Sequence, residues 1–381
     1  MLNNNCTKLA IIHFQPLEYY PPVCNLINTL GDSFSSVKVF SCSNVAQRDS
    51  FTPDRPANIF IHKFPFTKIG ESRGFRLLKY IFFNLFTLLR LLFFRPNKLL
   101  YFESSSAWPA YVYLRFFNSK CQLFIHYHEY ESPKDYLQMM TTVRFYHDLE
   151  KKWLYSNAKW ISQTNADRIQ FFHEDHPNLM KNQLRIMPNY PPKSWLYKSL
   201  SVKKRNIGSL KLIYVGSLSF QSTYLKEVCE WVENQGGRVL FDIFAYNVYT
   251  DVKDYLNERE KGYIRYFEKG IEYQDQPPLL SQYDVGLVLY KAHNQNFTYN
   301  APNKLFEYLA CDLDVWYPDV LKGPVPYQTV DTFPKVLPMN CEDMEAFDYG
   351  EAIDRTGLSY KPSTYFCEDV YAELLKEISE S

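Results

Sequence analysis

The sequence predicts an α/β fold built as two Rossmann-like units in tandem, each a parallel sheet covered by helices. Three observations carry that expectation. Short apolar runs of strand length alternate with longer helical patterns along the whole chain, the order that generates parallel sheets with helices on both faces. The alternation is interrupted once, at Pro188-Asn189-Tyr190-Pro191-Pro192 and the basic, polar stretch from Lys203 to Ser209, and then restarts. The chain has 381 residues, more than one core usually organises and close to the size of two domains.

The elements follow in order. Asn3, Asn4 and Asn5 precede the first strand, Leu9–His13, so the N-terminus does not read as a signal peptide. Further strands are expected at Val37–Ser41, Ile59–Lys63, Leu99–Phe102, Leu123–Tyr127, Trp160–Ser162 and Arg185–Met187, each rich in β-branched or aromatic residues. Helices are expected at Val23–Leu30, Phe75–Phe94, Trp108–Phe117, Leu137–Asn157 and Ala166–His173. After the break come strands at Lys211–Val215, Val239–Phe244, Ile264–Phe267 and Val285–Leu289, with helices between them. The expected domains are 1–195 and 205–360, with a terminal segment 361–381 whose helix, Ala372 to Ile378, returns to the first domain.

Leu77 to Phe94 is the nearest approach to a membrane span, but it contains Lys79, Asn84, Thr87 and Arg90. At about 100° per residue, Arg73, Arg76, Lys79, Asn84, Thr87, Arg90 and Arg95 share an arc of roughly 160°. Two readings follow: a core helix with this polar arc in water, or a helix on an anionic membrane surface. The first is the expectation, with most of the apolar face packed in the core and only a weak peripheral membrane contact.

Lys plus Arg and Asp plus Glu both total 42, so there is no global field for nucleic acid. Aromatics reach 17%, with 31 Tyr, which suits sugar stacking as well as ordinary packing. The eight cysteines sit singly without a C-x-x-C pair, which argues against a zinc module or disulfide scaffold and for a cytoplasmic protein.

The most informative segment is Pro302-Asn303-Lys304-Leu305-Phe306-Glu307-Tyr308-Leu309-Ala310. It follows the strand around Asp284–Tyr290 and a loop from His293 to Ala301. Pro suits the first turn of a helix, whose free amides and dipole favour an anion. Lys304 adds a cation there, and Glu307, one turn on, is an acceptor for hydroxyl groups. Phosphate binding beside hydroxyl binding points to a nucleotide sugar. The segment resembles the donor-binding motif of retaining GT-B glycosyltransferases of the family 4 type. That resemblance implies two facing Rossmann-like domains with a cleft between them, a diphosphate at Pro302, Asn303 and Lys304, and ribose hydroxyls at Glu307. Relatives often carry a second Glu facing the transferred sugar; here that position is Tyr299.

Ligands of parallel α/β sheets lie beyond the carboxyl ends of strands. That rule adds Gly216 and Ser217 after the strand Lys211–Val215, and Tyr246 after Val239–Phe244. The resemblance places the base near Gly270-Ile271-Glu272-Tyr273 and leaves uridine and guanosine both open. The basic residue that relatives carry soon after the Gly loop has no counterpart before Lys226, which falls inside a helix and is not assigned.

In the first half, the strand-end rule selects Glu103 and Ser104 as acceptor-binding candidates, while the more ordinary reading of Ser104, Ser105 and Ser106 is capping of the next helix. It also selects His126-Tyr127-His128-Glu129-Tyr130, where alternation puts His126 and His128 on one side. By resemblance His128 is the sugar-facing catalytic residue and Glu129 the next candidate. His-x-His-Glu also supplies metal ligands, but with no further ligand cluster apparent no metal or other cofactor is expected. His173-Glu174-Asp175-His176 reads as a solvated helix end. Phe14 to Pro22 is expected as an acceptor loop carrying Tyr19 and Tyr20.

The expected activity is transfer of a sugar from a UDP- or GDP-linked donor to a hydroxyl of a glycan or lipid-linked glycan, with retention implied by the resemblance. A nucleotide-sugar epimerase or glycan phosphorylase of the same architecture, or a non-catalytic carbohydrate-binding subunit, stays open.

Overall fold

The computed structural model describes residues 7–31, 33–43, 50–67, 70–196, 208–246, 248–259 and 262–380. Part of the expected linker, 197–207, lies outside them. The chain divides into two compact units, Met1–Asn189 with Cys367–Ser381, and Tyr190–Phe366.

The first unit holds a seven-stranded sheet: β1 (Lys8–Pro16), β2 (Ser36–Cys42), β3 (Ile59–Phe64), β4 (Lys98–Phe102), β5 (Gln122–His126), β6 (Ala158–Gln163) and β7 (Leu184–Ile186). Their order is β3-β2-β1-β4-β5-β6-β7 and every pair is parallel. Central strands of such sheets are covered on both faces and therefore read as unbroken apolar runs. Leu9 to Ile12 in β1 are fully buried. Helices α1 (Pro21–Thr29), α2 (Arg73–Phe94) and α3 (Ala107–Phe116) cover the sheet. The C-terminal helix, Cys367–Glu380, belongs to this unit, with Tyr371 Oη donating to Pro22 O at 2.9 Å. The strand order reverses between β1 and β4, so a crevice is available beyond their carboxyl ends.

Four details depart from the sequence reading. β1 runs on to Pro16 and α1 begins at Pro21, leaving little free loop between Phe14 and Pro22. The extension is held because Phe14 packs on Tyr80 and Phe83, while its amide donates to Ser106 Oγ at 2.9 Å. The single helix expected over Leu137–Asn157 is broken. Pro133–Gln138 starts from a Ser132 capping box, Thr141–Leu149 follows a kink at Met139–Met140, and Glu150–Leu154 forms a π turn. That turn brings Glu150 inward, where Tyr101 and Tyr127 donate to Oε1 and Ser104 to Oε2 at 2.6–2.7 Å. His176 is not a solvated end: its ring packs on Phe172 and Tyr155, and burial lowers its pKa to about 4. The fourth departure is α2, where the middle of the expected wet arc is turned inward while Arg73, Arg76, Arg90 and Arg95 stay exposed. Asn84 and Thr87 are buried beside Tyr80, Phe83, Leu91 and Phe94, and much of the apolar arc faces outward. Asn84 fits inside because its Nδ2 donates to Tyr80 O at 2.7 Å.

The second unit repeats the plan: β8 (Leu210–Val215), β9 (Val239–Phe244), β10 (Ile264–Phe267), β11 (Val285–Leu287), β12 (Asp314–Pro318) and the strand Val336–Met339. The order is β10-β9-β8-β11-β12 and then Val336–Met339, all parallel. β11 stops two residues before the expected Leu289. There the chain bonds a turn instead, Leu289 O accepting from Tyr224 N–H at 2.8 Å. The seven cysteines among the described residues are buried.

Candidate functional site

In the second unit the reversal of strand order lies between β8 and β11. Gly216 follows β8 there with φ +144°, a conformation that favours glycine. A Cβ on it would lie 2.7 Å from Lys304 Nζ. Lys304 comes from the helix Asn303–Ala310, which Pro302 caps in an extended conformation rather than joining the first turn. The helix is pressed onto β11: a Cβ at Gly286 would lie 2.1 Å from the Tyr308 ring. Tyr308 Oη in turn accepts from Val215 N–H at 3.1 Å, tying the helix to the end of β8. Leu305, Phe306 and Leu309 fill the core behind it.

Lys304 is 94% buried, since only 6% of it is exposed, and its Nζ makes no hydrogen bond of good geometry. It lies 4.0 Å from the Tyr214 ring centre and 4.6 Å from that of Tyr290. Burial opposes the ammonium, but these two tyrosines outweigh it and raise the pKa, so Lys304 is a cation at neutral pH. Its helix offers amide donors of the first turn at the same end. A buried cation with only tyrosines for neighbours and no carboxylate bonded to it, beside a glycine and a helix N-terminus, has the chemistry to receive an anion.

Glu307, one turn on, is partly exposed at the surface of its side chain. Burial pushes its carboxyl up to about 7, against the pull of Lys304. Ser217 is exposed, and its carbonyl accepts from Tyr214 Oη at 2.6 Å. Tyr299 caps the preceding short helix Gln295–Thr298. Tyr246 lies against Gly270, where a Cβ would be 2.5 Å from its ring, and donates to Glu272 Oε1 at 3.0 Å. The strand-end tyrosine and the segment expected at the base are thus adjacent. Lys226 lies over the Phe220 ring at 4.2 Å. Lys291 Nζ is paired with Glu227 at 3.2 Å.

In the first unit, β1, β4 and β5 bring a second group together. Glu103 follows β4 with φ 62° and ψ 150°, a region that only glycine adopts freely. Its Oε1 accepts from the His128 backbone N–H at 2.8 Å and from Nδ1 of the same ring at 3.0 Å. This fixes the tautomer and leaves Nε2 for other partners. The His128 ring stacks on Phe102 and lies 4.6 Å from the His126 ring and 5.4 Å from Tyr20. His126 Nδ1 meets Ser162 Oγ at 2.9 Å, and Arg168 Nη1 donates to His128 O at 2.8 Å. Burial pushes the Tyr20 phenol up, and Glu103 and Glu129 add to it. Tyr19 ends the turn that leads into α1, and Glu129 is exposed beside the cluster. Ser104 is buried, its hydroxyl donating to Glu150 and meeting Tyr136 Oη at 2.8 Å.

His13 is the residue that sequence reading missed. It is fully buried within β1, three residues before the strand ends, 4.7 Å from the Tyr20 ring and 6.3 Å from His128. Neither ring nitrogen has a hydrogen-bond partner, and burial, reinforced by His128, holds its pKa well below the usual range. The strand-end rule, counting the last residue of the expected strand Leu9–His13, would have found it. Among the described residues no group of three or more His, Cys, Asp or Glu is arranged to hold a metal ion.

Two Rossmann-like units with 3-2-1-4-5 strand order, each with polar groups at the reversal point, define the GT-B glycosyltransferase fold. Solved structures agree across the whole chain. Anabaena HepE, solved with UDP and glucose, is 9% identical, covers 98% of this chain and 100% of its own, and superposes with a TM-score of 0.62. Sucrose-phosphate synthase from Thermosynechococcus elongatus is 12% identical, with coverages of 98% and 94% and a TM-score of 0.60. A UDP-GlcNAc 2-epimerase from Neisseria meningitidis, bound to UDP-GlcNAc, is 12% identical, with coverages of 98% and 100% and a TM-score of 0.59. No protein-family model and no curated protein matches the sequence.

Proposed function

We propose that this chain is a retaining, metal-independent glycosyltransferase acting on a UDP- or GDP-linked sugar, with a glycan or lipid-linked glycan as acceptor. One observation carries the reading: the buried Lys304 ammonium, which makes no hydrogen bond of good geometry, held beside Gly216 at a helix N-terminus. A nucleoside diphosphate supplies what that site lacks. The diphosphate meets Lys304 and the first-turn amides near Asn303, Glu307 accepts from the ribose hydroxyls, and Tyr246 lies near the base. HepE binds UDP and glucose on the same fold.

In the reaction, the bond from the sugar C1 to the donor phosphate oxygen breaks and a bond from C1 to the acceptor oxygen forms on the same face. The acceptor proton passes to the departing phosphate. Lys304 and the amides stabilise the charge that develops on that phosphate, a role worth most in a site that excludes water. His128, oriented by Glu103, binds the transferred sugar, and Tyr19, Tyr20 and Glu129 border the acceptor. The setting is cytoplasmic.

Calorimetry tests the carrying observation. UDP or GDP alone should bind, and micromolar affinity corresponds to about 8 kcal/mol. Absence of binding by both at millimolar concentration would sink the reading. The epimerase among the structural neighbours supports a second reading on the same nucleotide site. Interconversion of a nucleotide sugar with no acceptor present would select it over transfer.

A further inference from the structure

We propose that α2 is a membrane-docking helix that lies flat on an anionic lipid surface, its apolar stripe inserted among the head groups and its arginines at the phosphates. The stripe is Phe75, Leu78, Phe82, Leu85, Leu89 and Phe93, spaced three or four residues apart and so on one line of the helix. All six are exposed, Leu78 by 62% and Phe93 by 78%. From Phe75 to Phe93 the stripe is about 27 Å long. The opposite side is buried in the first unit through Tyr80, Phe83, Leu91 and Phe94, so the helix cannot cross a bilayer while its unit stays folded. Tyr113 Oη and Asn118 Nδ2 both approach Pro96 O, which brings exposed Phe116 and Phe117 to the same end.

Charge selects the occupant. Between Glu71 and Glu103 the sequence has no acidic residue. Arg73, Arg76, Arg90 and Arg95 are exposed, and Glu71 is paired with Lys79 at 2.5 Å. Arg90 lies over the Phe86 ring at 4.7 Å, placing a cation at the border of the apolar stripe. A second copy of this face would set arginines against arginines with no carboxylate between them. Lipid phosphates pair with the cations while acyl chains cover the stripe.

The test floats the full chain with phosphatidylcholine vesicles, with and without phosphatidylglycerol, at about 0.1 M and about 1 M salt. Binding is expected with phosphatidylglycerol, weakened but not abolished at high salt because apolar insertion persists. Leu78→Glu with Phe82→Glu should lower the partition coefficient at least about tenfold, since each change opposes insertion. Its circular-dichroism melt should match wild type, because both side chains are exposed. Arg76→Glu with Arg90→Glu should remove the preference for phosphatidylglycerol. No binding to anionic vesicles at low salt, wild-type binding by the Leu78→Glu, Phe82→Glu protein, or complete loss at high salt overturns the proposal. So does a dimer in light scattering that the same double variant dissociates.

Discussion

Gly216 and Lys304 act as one unit at the residue scale, and each can be tested without the other. Gly216→Ala places a methyl 2.7 Å from Lys304 Nζ on a backbone at φ +144°. It should lower stability by about 1–3 kcal/mol and move the ammonium, read as a fall in melting temperature together with weaker UDP binding. Lys304→Ala leaves the backbone alone. A charge-assisted contact to phosphate is worth about 1.5–3 kcal/mol, or roughly ten- to more than a hundredfold in rate if made in the transition state. Full transfer activity in a folded Lys304→Ala protein would remove it from the mechanism. Glu307 gives a pH test. With its carboxyl pushed up to about 7, it is mostly protonated at pH 6 and mostly a carboxylate at pH 8. Nucleotide affinity should rise by up to about tenfold between them if only the carboxylate accepts the ribose hydroxyls. Glu307→Gln should flatten that profile in calorimetry. The stability term has the opposite sign. A raised acid pKa stabilises the fold below the unfolded value of 4.5 and that contribution is lost as pH rises through 7. Glu103 combines strain with function: Glu103→Gly should relieve the φ 62° backbone while releasing His128. The expected outcome is an equal or higher melting temperature with reduced transfer, and an unchanged rate would show that Glu103 does not position the ring.

At the scale of elements, the π turn at Glu150–Leu154 explains why a helix that looks continuous in sequence is not. No periodicity signals it, because its cause is distant: three hydroxyls on β4, after β4 and after β5 converge on one carboxylate. Glu150→Leu removes the acceptor of Tyr101, and leaves Tyr127 and Ser104 with only Tyr155 and Tyr136; at about 1–3 kcal/mol for a buried group left unsatisfied, it should sharply lower the denaturation midpoint. Glu150→Gln, which keeps an acceptor, should lower it less. The helix Asn303–Ala310 was legible, since Pro302, Lys304 and Glu307 are poor core residues in an otherwise apolar pattern. α2 was legible as an element but not in its orientation. Its polar arc predicted the wet side, yet Asn84 and Thr87 are small enough to be taken inside and the apolar side was left out. A helical wheel ranks faces by polarity and cannot know which one the sheet will cover.

For the whole molecule, strand alternation was enough to anticipate two parallel sheets, because strands buried on both faces advertise themselves as apolar runs. The strand-end rule then selected Gly216, Tyr246, Glu103 and His128 as candidates, and each follows a strand in the structure. It stopped short of His13, which looked like the last residue of an ordinary core strand. What sequence could not supply was the third dimension of each cluster: that Lys304 sits against Gly216, or that Glu103 grips His128 twice. The outward stripe of α2 has a practical consequence for anyone handling the protein. Its aromatic and leucine side chains meet water in any detergent-free buffer, and unlike the core they gain nothing from the fold being intact. The limit on working concentration should therefore be colloidal: clouding that sets in while the domains are still native and that clears with mild detergent.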